Sequence, residues 1–522
     1  MRTTPVVLIS SLLVSGLGCP ARVTPVTAGA VQYAPTSGYT PPAEEAPRYQ
    51  SMLDATRAAG ATLTPDRALQ QVAEEVADRI LRDPQGRSPS AQVVQALAWR
   101  AGLTDPVPTV LAYRGGVGAA RPDVAREVAG LARSDGLTHI GVAQRREGNV
   151  EALVVTLSQR RARLASIPRT APRGTRLAVR GELLAGLRSP VMLVTRPDGR
   201  VEESPLGAGP EFYGQMPLDA EGVWQVELGA EGAAGSTVVA LFPVYVGVEP
   251  PATPDGRSEG AQEDPAAAAA TLRTLINEAR TRAGMRPLAS MPALDAVAEA
   301  HSRDMVAQRY IAHNAPDGST PGDRLTRGGV RSGLALENVA RGYGAREIHE
   351  GLMGSPGHRA NIMNPGVTHV GIGVVREEGL GAGLVVTQNF VEVAAAIDTG
   401  EGARTLLAGI NANRERRGIP VFRADPVLQR AAQQAAEGFF ADPRRTQQEA
   451  LDDAARRMQR EGLLFRRIAV AAAYGPRLEG ADRLEPLFDR EMQAVGVGLA
   501  QGSRPDGPPN SVFVVYLMAV PR

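Results

Sequence analysis

Residues 276–284 read Ile-Asn-Glu-Ala-Arg-Thr-Arg-Ala-Gly, and residues 410–418 read Ile-Asn-Ala-Asn-Arg-Glu-Arg-Arg-Gly. In both copies a Leu follows ten residues after the Gly, at Leu294 and Leu428, and an Ala-rich amphipathic stretch continues from it. Each copy closes on a second shared motif before an apolar, strand-like run: Val370-Gly371-Ile372-Gly373 and Val495-Gly496-Val497-Gly498. The C-terminal half therefore predicts two related α/β modules.

The N-terminal half carries a third, weaker copy of the closing motif. Thr138-His139-Ile140-Gly141 matches Thr368-His369-Val370-Gly371, and the apolar run 153–157 follows it. Upstream, apolar residues between 67 and 80 recur at the spacing of one helix face. Residues 161–248 differ, because short apolar runs separated by Gly, Pro and Asp turns are typical of an all-β sandwich.

Composition shifts along the chain predict where these units begin and end. Two stretches rich in Pro and small residues have no period and indicate connecting segments. The predicted division is a signal peptide at 1–19, a flexible tether at 20–48, an α/β module at 50–160, a β-sandwich at 161–248, a Pro/Ala-rich linker at 249–268, an intact α/β module at 269–397 and a degenerate one at 400–522.

The N-terminus indicates export. Arg2 precedes an apolar run at 6–14 that is too short to span a bilayer, and small residues lead to Cys19, the only cysteine. Cys19 predicts a lipidated lipoprotein of the outer membrane or cell surface, and the alternative is an ordinary cleaved signal on a secreted or periplasmic protein. The lipid anchor would then be the only membrane attachment. A net charge of +1 gives no indication of nucleic-acid binding.

Histidines cluster in the intact module, where five of the six lie between 301 and 369. His313 follows a predicted helix, His358 lies in a turn before another, and Glu337 lies between them. Two neutral imidazoles near a carboxylate can hold Zn²⁺ and leave a position open for water, with Glu337 as candidate base. The chain has no His-Glu-x-x-His, and no Gly-x-Ser-x-Gly elbow surrounds Ser302 or Ser355, so a hydrogen-bonded network without catalysis is the alternative.

The same region, residues 271–393, resembles the CAP superfamily of cysteine-rich secretory proteins, antigen 5 and pathogenesis-related proteins, in its bacterial branch. The matching text, in the family's order, is Asn277-x-x-Arg280, Ala300-His301-Ser302-x-Asp304-Met305, Ala312-His313, Pro316-Asp317-Gly318, Asp323-Arg324, Glu337-Asn338, Ser355-Pro356-Gly357-His358-Arg359-Ala360-Asn361-Ile362, Val370-Gly371-Ile372-Gly373 and Gln388-Asn389-Phe390.

The resemblance implies an α+β fold made of one intact and two degenerate CAP-type α-β-α sandwich modules, beside the all-β sandwich. It implies a cavity lined by two His and acidic residues, at positions that correspond here to His313, Glu337 and His358, with Asn338 beside them. A second cavity Glu of the eukaryotic members aligns with Ser355. That loss weakens a two-carboxylate mechanism and favours metal ligation by His313 and His358.

Three functions stay open at this point. The chain is an exported envelope protein that binds a lipid, glycan or peptide in the cavity, a metal-dependent hydrolase of envelope peptide or peptidoglycan, or a structural adhesion protein. Only the hydrolase requires a cofactor, a zinc ion at His313 and His358. The oligomeric state is left open. Of the remaining histidines, His301 and His369 are predicted to be structural and His349 to be an exposed helix position.

Overall fold

The computed structural model describes residues 32–33, 39–116, 124–257, 263–330, 332–378, 383–393, 396–460, 465–475, 477–504 and 510–521. The predicted signal peptide and Cys19 lie outside these residues. Among the helices in the described ranges, none combines the length and the apolar character that a membrane crossing needs.

The N-terminal module (residues 46–158) surrounds a four-stranded sheet with helices. The elements up to its end are β1 (Gln32–Tyr33), α1 (Ala46–Ala58), β2 (Thr64–Pro65), α2 (Arg67–Arg82), α3 (Ala91–Arg100), β3 (Thr109–Gly116), α4 (Val124–Ser134), β4 (His139–Glu147) and β5 (Val150–Ser158). The strand order is β2-β4-β5-β3, with β2 parallel to β4 and the other pairs antiparallel.

The β-sandwich packs a five-stranded sheet, in the order β11-β10-β13-β14-β8, against a three-stranded sheet, in the order β12-β9-β6. Its core includes Trp224 and Phe242, both fully buried. The strands are β6 (Ala162–Leu164), β7 (Ile167–Pro168), β8 (Thr170–Ala171), β9 (Arg176–Leu183), β10 (Arg188–Thr195), β11 (Val201–Pro205), β12 (Glu211–Pro217), β13 (Gly222–Gly232) and β14 (Gly235–Val246).

Part of the predicted flexible tether belongs to this sandwich, which corrects the prediction for residues 32–33. Strand β1 pairs with β7, and Tyr33 is only 1% exposed. The Tyr33 hydroxyl donates a hydrogen bond of 2.9 Å to the carbonyl of Pro243. An aromatic side chain with a satisfied hydroxyl stabilises the strand, although the surrounding composition is typical of a linker.

The central module (residues 265–391) has three layers. Helix α6 covers one face of the sheet, and α5 and α8 cover the other. Its elements are α5 (Pro265–Arg282), β15 (Ala289–Ser290), α6 (Pro292–Gln308), α7 (Pro321–Arg327), β16 (Ala335–Gly342), α8 (Ala345–Gly354), α9 (Pro356–Ile362), β17 (His369–Arg376) and β18 (Leu384–Val391). The strand order is β15-β17-β18-β16.

The predicted linker ends earlier than residue 268, which is a second correction. The Asp264 side chain accepts hydrogen bonds from the backbone N–H groups of Ala266 and Ala267, and Pro265 occupies the first helical turn. Asp at the N-cap and Pro directly after it are favourable start signals for a helix. Residues 265–268 therefore form the first turn of α5, where Ala268 is already buried.

The C-terminal module (residues 399–521) repeats the arrangement with the strand order β19-β21-β22-β20. Its elements are α10 (Thr399–Arg416), β19 (Arg423–Ala424), α11 (Pro426–Ala441), α12 (Gln447–Arg460), β20 (Phe465–Gly475), two 3₁₀ turns (Ala481–Arg483 and Glu485–Phe488), β21 (Ala494–Gly502) and β22 (Ser511–Pro521). The three modules thus share one topology: a two-residue parallel edge strand followed by antiparallel pairs. The predicted fold class is confirmed.

Close packing explains why the repeated Gly and Leu motifs occur together. A Cβ added at Gly371 would lie 2.4 Å from the backbone carbon of Leu294, and one at Gly496 would lie 2.1 Å from that of Leu428. The first Gly of each closing motif therefore lets the helix that carries the Leu approach the sheet more closely than any side chain would permit.

Candidate functional site

Glu337 lies at the centre of the candidate site, on β16. Its side chain is 2% exposed, and Nη2 of Arg324 donates to both carboxylate oxygens at 3.0 and 2.8 Å. Nδ1 of His313 lies 3.0 Å from Oε1 of Glu337, and Nε2 of His301 lies 4.0 Å from the same oxygen. A buried carboxylate is costly unless it is paired and hydrogen-bonded, and Glu337 is both.

His313 is held by the loop between α6 and α7. Helix α6 ends at Arg309, which adopts a left-handed conformation, and the chain then turns back towards the sheet. Helix α7 begins with a capping box between Thr320 and Asp323, so that Arg324 can donate to the His313 carbonyl at 2.9 Å as well as to Glu337. The His313 side chain is 22% exposed, which leaves part of the imidazole accessible.

His358 lies in the first turn of α9. Its Nδ1 is 2.7 Å from Oγ of Ser355. Burial, together with the nearby His313, lowers the pKa of His358 to about 4. The imidazole is therefore neutral at neutral pH and can accept or donate a hydrogen bond or bind a metal, depending on which nitrogen carries the proton.

Asn338 supports the site from behind. Neighbouring strand residues point to opposite faces of a sheet, so Asn338 is directed away from Glu337. Its Nδ2 donates to the His358 carbonyl at 3.3 Å and to Oε1 of Gln388 at 3.1 Å, and its Oδ1 accepts from Asn361 at 2.9 Å. Asn338 is fully buried and positions α9.

Sequence reasoning missed Glu227, which comes from the β-sandwich. Glu227 lies on β13 and is 3% exposed, and its Oε2 accepts a hydrogen bond from the Ser355 hydroxyl. Its Oε1 accepts from the backbone N–H of Gly357 at 3.2 Å. Burial raises the pKa of Glu227 to about 7. A carboxylate therefore lies against Ser355 even though residue 355 itself carries none.

The sandwich covers one side of the site through loops as well. Asn314 donates from its backbone N–H to the Ala234 carbonyl at 3.0 Å and from its side chain to the Ala233 carbonyl at 3.2 Å. Nε of Arg359 donates to the Gly199 carbonyl at 3.1 Å. The candidate site thus lies at the junction of the central module and the β-sandwich, a position where ligand sites are common.

The remaining histidines fall in two groups. His301 is buried, with Nε2 3.0 Å from the Ala312 carbonyl, and His369 lies 2.9 Å from the Thr368 hydroxyl, as His139 lies 2.8 Å from that of Thr138. The prediction that His349 is exposed is wrong. His349 is 6% exposed, and burial lowers its pKa to about 4, because α8 turns this residue into the layer that it shares with α5.

The donor set fits a metal ion incompletely. Across the described ranges, no three His, Cys, Asp or Glu side chains are arranged to hold a metal ion together. The Glu337 carboxylate pairs with Arg324 and His313, so the residue predicted as the candidate base is already paired. Nδ1 of His313 and Nδ1 of His358 each make a hydrogen bond within the protein, which leaves the two Nε2 atoms to contact a ligand or to bind a metal.

Comparison with known proteins identifies the central module. The profile of the cysteine-rich secretory protein family (CAP) matches residues 273–390. The uncharacterized protein YkwD of Bacillus subtilis is 36% identical over 118 residues, which cover 22% of this chain and 44% of that protein. The uncharacterized membrane protein YlbC of the same organism is 34% identical over 120 residues, 23% of this chain and 32% of that protein. The chain thus spans less than half the length of either relative.

Two bacterial proteins of known structure match parts of this chain. An extracellular protein containing an SCP domain from Bacillus anthracis is 25% identical to this chain. The match covers 34% of this chain and 63% of that protein's chain, with a TM-score of 0.23. An outer surface protein of Borrelia burgdorferi is 22% identical and covers 26% of this chain and 98% of its own, also with a TM-score of 0.23. The family match covers the segment that carries His313, Glu337 and His358: residues 273–390 of this chain match the CAP domain of the cysteine-rich secretory protein family.

Proposed function

We propose that this protein binds a polar ligand of the cell envelope, a glycan strand or a peptide, at the junction of the CAP domain and the β-sandwich. The observation that carries the proposal is the state of Glu337. Its carboxylate is paired with Arg324 and hydrogen-bonded to His313, and its side chain is only 2% exposed, so a substrate has little access to either oxygen. A general base must reach the proton that it removes, so this arrangement favours binding over acid–base catalysis.

The chemistry of the site favours a polar ligand over a lipid. The groups that converge on it are two imidazoles, two carboxylates, a guanidinium and a hydroxyl. Most of these groups are hydrogen-bonded to one another, but among the described residues the exposed part of His313 and Nε2 of His358 are not, and an acyl chain that covered them would offer no hydrogen bond in return. Sugar hydroxyls and peptide N–H groups can satisfy the exposed part of His313 and the free nitrogen of His358.

Co-sedimentation of the full chain with purified peptidoglycan sacculi tests this proposal. We expect the wild-type protein to pellet with the sacculi and His313→Ala to bind at least about tenfold more weakly, since a lost hydrogen bond at a desolvated site costs about 1.4 kcal/mol or more. His139→Ala in the N-terminal module is the matched control and should bind as the wild type does. Equal binding by both variants would contradict the proposal, and capture by phospholipid vesicles instead of sacculi would favour a lipid ligand.

A metal-dependent hydrolase is the second candidate, and one observation favours it. His313 and His358 are each oriented through Nδ1, by Glu337 and by Ser355, which is the pattern that holds metal-binding imidazoles in place. Their Nε2 atoms would hold the zinc ion. When bound, zinc supplies a water acidic enough to attack a peptide bond near neutral pH.

Zinc titration by calorimetry separates the two candidates. The hydrolase requires binding near one equivalent per chain that disappears in the His313→Ala, His358→Ala double variant. Equal heats in both proteins, or none in either, would exclude this candidate. A His139→Ala, His369→Ala double variant controls for zinc bound elsewhere, because it removes the same number of imidazoles without touching the CAP cavity.

The proposed location is the cell envelope, with Cys19 as the lipidated residue. The support is the N-terminal sequence, in which an apolar run and small residues precede the single cysteine. Detergent phase partitioning of the expressed protein tests the anchor. The wild-type protein should enter the detergent phase and Cys19→Ala should stay in the aqueous phase, whereas identical partitioning would favour an ordinary cleaved signal.

A further inference from the structure

Glu227 makes an unusual contact for a strand residue of a β-sandwich. Its carboxylate is 3% exposed and its hydrogen bonds go to another domain: Oε2 to the Ser355 hydroxyl and Oε1 to the Gly357 N–H. Val226 and Leu228, its neighbours on β13, are fully buried. Burying a carboxylate at this depth costs free energy, and a hydrophobic residue at the same position would avoid that cost. The presence of Glu227 therefore indicates that its carboxylate has a specific role.

The Ser355 hydroxyl connects Glu227 to His358. This hydroxyl has one proton to donate, and it lies between a carboxylate oxygen of Glu227 and Nδ1 of His358, which is 2.7 Å away. An ionised carboxylate can only accept, so Ser355 donates its proton to Glu227. The remaining contact requires Nδ1 of His358 to donate to the Ser355 oxygen. In a neutral imidazole, Nε2 is then unprotonated.

We propose that Glu227, with its carboxylate ionised, is a positioning residue of the CAP cavity, which acts through the Ser355 hydroxyl to hold His358 in the tautomer protonated at Nδ1 and leaves Nε2 as a hydrogen-bond acceptor. Within the described residues, the hydrogen bond of the His358 ring is made by Nδ1, so Nε2 is the nitrogen that remains for a ligand. This consequence rests on the proposed function: the ligand presents a hydrogen-bond donor, a hydroxyl or an N–H group, to Nε2 of His358.

A simpler role for Glu227 is to attach the β-sandwich to the CAP domain, and the Gly357 N–H allows the two roles to be separated. In Glu227→Gln the Gly357 N–H donates to the oxygen of the Gln side-chain amide, because the NH₂ group of that amide cannot accept a hydrogen bond. The amide NH₂ is then directed at Ser355 and donates to its oxygen. Ser355 must donate to Nδ1 of His358, and the ring proton moves to Nε2. A side chain of nearly the same shape thus inverts the tautomer.

Two-bond ¹H–¹⁵N correlation spectra of the full chain, labelled with ¹⁵N-histidine, report the tautomer directly. The spectra are recorded without ligand at about pH 8.5, above the pKa of about 7 of Glu227, so that the carboxylate is ionised. We expect the His358 signals to show a protonated Nδ1 in the wild type and a protonated Nε2 in Glu227→Gln. The same His358 pattern in both proteins would overturn the proposal and leave Glu227 as an attachment point only.

Two further variants keep the test decisive. Glu231→Gln changes an exposed Glu on the same strand and should leave the His358 signals unchanged. Ser355→Ala removes the connecting hydroxyl, so that the difference between Glu and Gln at position 227 should disappear in that background. If the difference persists, Ser355 is not the link and the proposal fails. Because no ligand is present, this result is independent of whether the protein binds peptidoglycan.

Discussion

Arg280 and Arg414 make equivalent hydrogen bonds in two different modules. Nε of Arg280 donates to the Arg286 carbonyl at 2.9 Å, and Nε of Arg414 donates to the Pro420 carbonyl, six residues further on in each case, at 2.7 Å. The guanidinium of each then reaches the loop before the closing strands, at Ile362 and Asn364 or at Leu487, Asp489 and Met492. Both side chains are buried. The repeated Asn-x-x-Arg motif thus connects the first helix of a module to the segment that leads into its closing strands.

Replacing this arginine should destabilise only the module that carries it. We expect Arg280→Lys to lower the free energy of unfolding of the central module by about 3 kcal/mol, because an ammonium group cannot satisfy carbonyls that a planar guanidinium reaches together. Hydrogen exchange measured by mass spectrometry resolves each module separately. Arg282→Lys, at a position whose side chain is 72% exposed, should change little. Loss of protection in all modules alike would disprove the local role.

Arg324 is expected to contribute strongly to stability through Glu337. In Arg324→Ala the Glu337 carboxylate, with a side chain 2% exposed, would lose its guanidinium partner, and leaving one member of a buried ion pair alone costs about 3–5 kcal/mol. Thermal and denaturant unfolding measure the loss. Arg303→Ala, which removes an exposed pair with Glu299, is the control and should cost less than about 1 kcal/mol. Similar losses in the two variants would contradict the assignment of Glu337 as a buried, paired carboxylate.

Gly371 should not tolerate a methyl group. A Cβ there would lie 2.4 Å from the backbone of Leu294, so Gly371→Ala must push α6 away from the sheet, at a cost of about 3 kcal/mol. Gly351→Ala is the matched control: it lies in α8 with no atom within 4 Å of the added Cβ, and Ala favours a helix over Gly by about 1 kcal/mol. Melting temperatures should therefore shift in opposite directions, and a neutral Gly371→Ala would refute the close approach.

Titration of Glu227 should make the folded protein less stable as the pH rises. Burial raises its pKa from 4.5 to about 7, so the folded protein retains a proton that the unfolded chain has released. This contribution is fully present below about pH 4.5 and is lost as the pH rises through about 7, with a total of about 3 kcal/mol for about 2.5 pH units. Glu227→Gln cannot titrate at this position.

Unfolding of the wild type and Glu227→Gln should be compared between about pH 4.5 and 8. His349, whose pKa is lowered by burial, makes both proteins more stable as the pH rises towards its unfolded value of 6.5, and the comparison cancels this opposite trend. The stability of the wild type relative to the variant should fall across the range. Parallel curves would show that Glu227 does not titrate in the folded state as its burial requires.

Several features could be predicted from local sequence because they depend on local chemistry. The Gly of each closing motif is required by a helix that crosses the sheet at contact distance, and the buried Arg bonds to backbone within its own module. Such requirements recur wherever the motif recurs, so the repeat predicted the shared topology. The same reasoning failed for Tyr33 and His349, whose burial depends on elements far away in the chain.

The sequence by itself determined the three α/β modules and the intervening β-sandwich, and it predicted the candidate set of His313, Glu337 and His358, because each depends on periodicity or on a motif within one domain. Only the tertiary structure decided how these residues are used. Arg324 occupies the carboxylate of Glu337, and Glu227 reaches Ser355 from a strand 128 residues earlier in the chain. The physical reason is that a hydrogen bond between domains depends on how two folded surfaces meet, and no spacing within either domain encodes it.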